Sequence, residues 1–275
     1  MKILYVSDLD GTLLDKDTKL SDYTIEELNK LIDDGLMFTY ATARSYNSAK
    51  VVSSGIKIKY PVILCNGVKI YDTLNKKTIF STFFSDKDKE LVKNICLKYD
   101  ILPILYQTKD DVDKFYYLNY NISEGKQYYL DKRKDDKRLT IVNSKEELFS
   151  KDSIYYFNFI DTYENLKPIY DELKNHFRCV FQQEIYREEY WLEVLPNNSD
   201  KAESLIKLKE LLNVDKIVYF GDSVNDISSF KVSDLCYAVE NSKEELKPYA
   251  TKIIGSNNTD GVIKQIKEMY KNESF

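Results

Sequence analysis

The sequence predicts an α/β protein: a Rossmann-like parallel-sheet core with an α+β domain inserted into it. Three observations carry that expectation. Short apolar runs without alternation recur toward both ends of the chain, as suits strands covered on both faces. Helical patterns lie between them, and strand–helix–strand alternation builds a parallel sheet wrapped on both sides. From about residue 84 to about 190 the rhythm changes to Tyr-rich, alternating stretches. The expected division is therefore a core of residues 1–83 plus 191–275 and an insertion of residues 84–190.

The elements follow in order. "ILYV" before Asp8 is the first buried strand. "TIEELNKLIDDG" is a helix with Thr24 and Glu27 in capping-box spacing, Ile25, Leu28, Leu31 and Ile32 on one face, and a stop at Gly35. "LMFTYA" before Thr42 and "VILC" before Asn66 are further strands of the same sheet. The insertion opens with the helix "DKDKELVKNICLKYD" and the strands "ILPILYQ" and "DKFYYLNYN". Tyr116, Tyr117 and Tyr120 are expected to serve its core. The basic run Lys132, Arg133, Lys134, Lys137 and Arg138 is broken by Asp135 and Asp136, and reads as a solvated turn or as an anion-recognition surface. "IYYFNFID", the helix "YENLKPIYDELKNHF" and the long "RCVFQQEIYREEYWLEV" complete the insertion. The core resumes with the helix "DKAESLIKLKELLN", which gathers Ala202, Leu205, Leu208 and Leu212, and with the strands "IVYF" before Gly221-Asp222 and "LCYAV" before Glu240.

Composition narrows the function. The chain has 275 residues, 43% of them apolar and 31% charged, enough for two domains with full cores. Its formal net charge of −5 argues against a nucleic-acid partner. Cys65, Cys96, Cys179 and Cys236 are far apart and lack zinc-ligand spacing, so reduced thiols in a cytoplasmic protein are expected. The acids within "MKILYVSDLDGTLL" exclude a signal peptide, and no apolar run approaches the ~18 residues of a membrane span.

The chemistry gathers at strand ends. In an open parallel sheet, ligands bind beyond the carboxyl ends of the strands. The runs end in Asp8 and Asp10, Thr42, Asn66 and Asp222, and parallel strands would deliver all of these to one edge, with Asp226 nearby. Carboxylates packed together repel, and a hard cation relieves that; Mg²⁺ suits such an oxygen-rich site because it keeps waters that a phosphate replaces. Lys201 opens a strong helix, where a cation opposes the helix dipole but stands well beside a bound phosphate.

These residues resemble a known family. "DLDGTLLD", "ATARS", Lys201 and "GDSVNDISSF" are similar to the four motifs of the haloacid dehalogenase superfamily of aspartate-nucleophile phosphatases. "CNGVKIYD", "NTDGV" and the position of the insertion resemble its Cof-type branch, in which the insertion is a cap. The sequence departs from the usual pattern at Ala43, Asn198, Asp200 and Glu240-Asn241-Ser242. The resemblance implies a hydrolase of small-molecule phosphomonoesters, such as a sugar phosphate or a related metabolite, working through an aspartyl-phosphate. Asp8 would be the nucleophile and Asp10 the general acid and base, with Thr42 and Lys201 as the remaining catalytic groups. Asp8, Asp10 (through its carbonyl), Asp222 and Asp226 would serve the metal. Arg44, Asn66 and Asn225 would touch substrate. A monomer or weak homodimer is expected, and His176 is expected to be structural. Two alternatives stand beside hydrolysis: a phosphomutase or phosphotransferase using the same aspartyl-phosphate, and a non-catalytic phosphate sensor.

Overall fold

The computed structural model describes residues 1–109, 112–183 and 187–273. They form two compact units, Met1–Ser81 with Ser199–Phe275, and Thr82–Asn198.

In the first unit the chain runs β1 (Ile3–Ser7), α1 (Asp22–Asp33), β2 (Met37–Tyr40), α2 (Tyr46–Val52), β3 (Val62–Leu64), β4 (Lys69–Asp72) and β5 (Lys77–Ser81). In the second it runs α3 (Asp86–Tyr99), β6 (Ile104–Lys109), β7 (Val112–Leu118), α4 (Glu124–Asp131), β8 (Leu139–Val142), α5 (Lys145–Phe149), β9 (Ile154–Asp161), α6 (Tyr163–Leu173), β10 (Arg178–Gln183) and β11 (Tyr190–Leu195). Back in the first unit follow α7 (Lys201–Leu212), β12 (Lys216–Gly221), α8 (Ile227–Val232), β13 (Leu235–Val239), β14 (Lys252–Ile254) and α9 (Gly261–Glu273).

The first unit holds a five-stranded sheet in the order β14-β13-β12-β1-β2, with every pair parallel. Leu4 to Ser7 are all buried, so this strand carries no polar face, as a doubly covered parallel strand requires. Leu4, Val6, Ile217 and Tyr219 pack with Leu205 and Leu208 of α7 in one apolar cluster. Two expectations need correction here. The run "VILC" does not enter this sheet: β3 heads a separate antiparallel sheet, β3-β4-β5, and meets β2 through a single parallel bridge, Ala41 with Ile63. Helix α1 is capped by Ser21 rather than Thr24. The Ser21 hydroxyl accepts the Thr24 N–H at 2.9 Å, and Thr24, already inside the helix, donates its own hydroxyl to Asp260.

The second unit is a six-stranded sheet, β10-β11-β9-β6-β7-β8, antiparallel except for β7 beside β8. Phe157, Phe159, Leu192 and Val194 on one face pack against Val92 and Ile95 of α3 and Leu166 and Ile169 of α6. The alternate positions, among them Tyr106 and Trp191, meet Tyr129 of α4. Strand β11 belongs to this sheet, so the division falls after it, at Asn198, and not at the expected residue 190. Tyr116 joins the apolar cluster, Tyr117 is half-buried, and Tyr120 is exposed with its hydroxyl on Asp100. The main chain of His176 is bonded to Leu173 and to the Asn197 amide. None of the four cysteines is in a disulfide among the described residues, and no helix among them is long and apolar enough to cross a membrane.

Candidate active site

At the end of β1 the chain stays registered to its neighbour for one more residue, because the Asp8 N–H donates to the Phe220 carbonyl at 2.9 Å. It then turns sharply through Leu9–Leu13. Gly11 sits in that turn at φ 75°, and a Cβ there would fall 2.4 Å from Asp222 Oδ2. The glycine thus lets the β1 turn approach the acid that ends β12. Thr12 joins the two, its hydroxyl donating to Asp222 Oδ1 at 3.0 Å.

Lys201 is the centre of the site. It begins α7, whose N-cap is Asp200: the Asp200 carboxylate accepts the Glu203 N–H at 2.8 Å, the job a serine often does. Gly67, at φ 97°, brings its backbone so close that a Cβ would overlap the Asp200 carbonyl, and the Gly67 carbonyl accepts from Ser204. These contacts lock the first turn of α7. The Lys201 ammonium, 0% exposed, donates to Asp8 Oδ1 and to Asp226 Oδ1, each at 2.7 Å. Asp8 Oδ2 has no hydrogen-bond partner among the described residues.

Asp226 is saturated. Its Oδ1 also accepts the Tyr219 hydroxyl at 2.9 Å, and its Oδ2 accepts the N–H groups of Asp222 and Ser223 at 3.1 and 3.2 Å. Four donors fill its four lone-pair positions. It therefore holds the lysine and shapes the 221–223 turn, where Gly221 leaves room for it.

The remaining expected residues form a second string of contacts. Arg44 grips Asp10 with two hydrogen bonds, Nε to Oδ2 at 2.7 Å and Nη2 to Oδ1 at 2.6 Å, and donates to Ser48. The Thr42 hydroxyl, fully buried, accepts the Arg44 N–H at 3.1 Å. The Asn66 N–H donates to the Thr42 carbonyl, and Asn225 donates its amide to Asn66 Oδ1 at 3.1 Å, which leaves its own Oδ1 buried without a partner. The residues expected from the strand ends thus fall into these two sets of contacts, with the Asp10 carboxylate facing Arg44 and standing outside the acidic group of Asp8, Asp222 and Asp226.

Ligand oxygens of those three acids lie within 4.8 Å of one another. Burial pushes the Asp8 carboxyl well above the usual range; Lys201 pulls it back, and Asp226 and Asp222 push it further up. Burial likewise raises Asp222 to about 6, with Asp226 adding to the effect. Burial disfavours the Lys201 charge, yet Asp226 and Asp8 outweigh it and hold the ammonium well above its ordinary value. One cation among three carboxylates leaves negative charge uncompensated, and a hard divalent cation fits that all-oxygen donor set.

Sequence reasoning missed Thr12, Tyr219, Ser48 and Gly67. Thr12 and Gly67 lie inside the quoted motifs, but their roles depend on approaches between distant segments. Tyr219 lies in an apolar run, where its hydroxyl gave no signal.

Comparison with known proteins follows the geometry. A family model described as haloacid dehalogenase-like hydrolase matches residues 5–266. A protein of Buchnera aphidicola subsp. Baizongia pistaciae whose name carries the word phosphatase is 30% identical over 98% of this chain and 99% of its own. The 5-amino-6-(5-phospho-D-ribitylamino)uracil phosphatase YwtE of Bacillus subtilis is 26% identical, over 93% of each chain. Among solved structures, TM0651 of Thermotoga maritima superposes with a TM-score of 0.76 at 27% identity, covering 97% of both chains.

Proposed function

The chain belongs to the haloacid dehalogenase-like hydrolase family, and from that premise we propose that it is a Mg²⁺-dependent phosphatase that hydrolyses small-molecule phosphomonoesters through an aspartyl-phosphate on Asp8. The observation that carries this reading is the buried Lys201 ammonium set 2.7 Å from Asp8 beside two further carboxylates. A nucleophile whose own charge would repel phosphate is here furnished with a fixed counter-charge.

Asp8 attacks phosphorus through Oδ2, the oxygen that Lys201 leaves free, and the leaving alcohol departs with a proton from Asp10. Asp10 then takes a proton from the water that attacks the acyl-phosphate; phosphate leaves and the Asp8 carboxylate is restored. Lys201 and the Thr42 hydroxyl bind phosphate oxygens as charge builds on them. Asp8, Asp222 and the Asp10 carbonyl would hold Mg²⁺, while Asp226 acts from behind through Lys201 and the 221–223 turn. A bound divalent cation supplies charge neutralisation between the carboxylates and the incoming phosphate. Arg44 pairs with the Asp10 carboxyl through two hydrogen bonds and must release it before Asp10 can carry a proton to the leaving group. The second unit, residues 82–198, acts as a cap that selects the leaving group.

Related proteins act on a phosphorylated ribitylaminouracil and on pyridoxal phosphate by name. Small phosphorylated metabolites of that size are the substrate class proposed here. The test is inorganic phosphate release from such a panel with Mg²⁺, repeated in excess chelator and with Asp8→Asn. Release that depends on Mg²⁺ and falls below about 1% in the variant is expected, because the amide is a poor nucleophile. Undiminished release in either control would overturn the proposal, and phosphate passed to an alcohol in preference to water would make the protein a transferase.

A further inference from the structure

The basic run after α4 forms a turn in which Lys132, Lys134 and Lys137 are exposed while Arg133 and Arg138 are half-buried. A cavity of about 400 Å³ lies within the second unit, where α4 meets the start of β11. Its walls include Tyr128, Tyr129 and Trp191, with Tyr129 and Trp191 in edge contact at 5.3 Å. The Arg133 guanidinium sits on the Tyr129 ring, its carbon 3.7 Å from the centroid. Gly125 lines the cavity floor, and a Cβ there would fall 2.4 Å from Glu189 Cγ.

The charges at this cavity are unequal. Arg187 lies over Tyr128 but is neutralised by a two-pronged pair with Glu189. Asp136 is likewise occupied by Arg138, at 2.9 and 2.6 Å. Arg133 makes no ion pair among the described residues: its guanidinium makes a single long bond, Nη1 to the Tyr129 carbonyl at 3.5 Å, and it only shares the field of Asp136, which Arg138 already holds. Lys132, exposed at the rim, meets the Tyr128 ring at 5.3 Å and has no ion pair among the described residues. Two cations seated on aromatic rings, with Trp191 beside them, line a cavity of ligand size. A cation already seated on a ring is oriented before a ligand arrives, which lowers the ordering cost of binding.

We propose that this cavity binds a planar heteroaromatic anion, its ring packed against Trp191 and its negative group on Arg133 and Lys132. An aliphatic anion would gain only the charge, and a neutral ring only the stacking. The binding is a property of the second unit and does not depend on the reaction assigned to the acidic site.

Trp191 is the only tryptophan of the chain, so its emission reports on the cavity directly. The full-length protein is titrated with nicotinate, with nicotinamide (the same ring, neutral) and with cyclohexanecarboxylate (the same charge, no aromatic ring). Calorimetry gives the stoichiometry. Nicotinate is expected to alter Trp191 emission saturably, with the other two at least ~10-fold weaker. Arg133→Gln should weaken nicotinate by ~10-fold or more, and Lys132→Gln, at an exposed position, by a smaller factor in the same direction. Absence of saturable binding, equal binding of cyclohexanecarboxylate, or undiminished affinity in both variants overturns the proposal. So does nicotinate binding that inorganic phosphate with Mg²⁺ abolishes, since the carboxylate would then occupy the acidic site.

Discussion

Lys201 sets the energetics at the residue scale. It is fully buried, and Lys201→Met would leave Asp8, Asp222 and Asp226 facing one another without a cation. Removing one partner of a buried charge cluster costs about 3–5 kcal/mol. Urea unfolding should show that loss in chelator, and Mg²⁺ should recover part of it; an unchanged midpoint would mean the acids are already neutral. Asp10→Asn is expected to slow turnover by ~10²–10⁴, more for an alkyl than for an aryl phosphate, because the poorer leaving group needs the proton more. Equal losses would count against the acid role. Lys126 carries a different signature. Its ammonium is buried on the Leu102 carbonyl, and burial lowers it to about 8, against a small opposing pull from Cys96 and Asp161. Below pH 8 it is charged in both folded and unfolded states and the folded state bears the full desolvation cost. Between pH 8 and 10.5 the unfolded chain binds the extra proton, so stability relative to Lys126→Met should rise across that window. A flat difference would place the ammonium in contact with water. Asp8, Asp222 and Lys201 could be read from the sequence because each sits in a local motif. The saturation of Asp226 could not, since two of its four donors lie outside its own turn: a lysine 25 residues away and a strand tyrosine.

At the scale of elements, caps and breaks decide more than periodicity. Ser21→Ala should cost roughly 1 kcal/mol, since the Thr24 N–H loses its acceptor; no change in denaturation midpoint would show that water replaces it. Helix α6 carries Pro168 in its interior, where one amide donor is missing. Pro168→Ala is expected to raise the stability of the second unit by about 1–2 kcal/mol, after allowing for the unfolded-state entropy that proline removes. A lower midpoint would mean that the ring itself is packed. The strands β1, β2, β12 and β13 were readable as continuous apolar runs because both of their faces are covered. Strands β4, β5 and β14 are short, and β5 alternates between exposed and half-buried positions, so they carry little of that signal. The run before Asn66 was correctly read as a strand and wrongly placed in the main sheet. Partner choice for a three-residue strand depends on the Ala41–Ile63 bridge and the β4 hairpin, which no local pattern encodes.

For the molecule as a whole, the division into units makes its own prediction. Thr82 Oγ1 lies 3.5 Å from the Asn198 carbonyl, so the insertion leaves and returns at nearly one point. Excising residues 82–198 and joining the ends through a short linker should give a folded α/β protein, because all five strands of the parallel sheet lie outside that segment. It should retain slow hydrolysis of a small aryl phosphate while losing discrimination among metabolites. A folded product that keeps the full-length ratio of kcat/KM values would remove specificity from the second unit. The same topology governs when the protein becomes active during its synthesis. Asp8 leaves the ribosome 193 residues ahead of the lysine that pairs with it, and the side of β1 away from β2 stays unpaired until β12 is made. The second unit, complete by Asn198, has time to fold first. A nascent chain that stalls before Lys201 thus carries Asp8 without the ammonium that pairs with it. The acids acquire their cation in one late step, when α7 and the C-terminal strands dock.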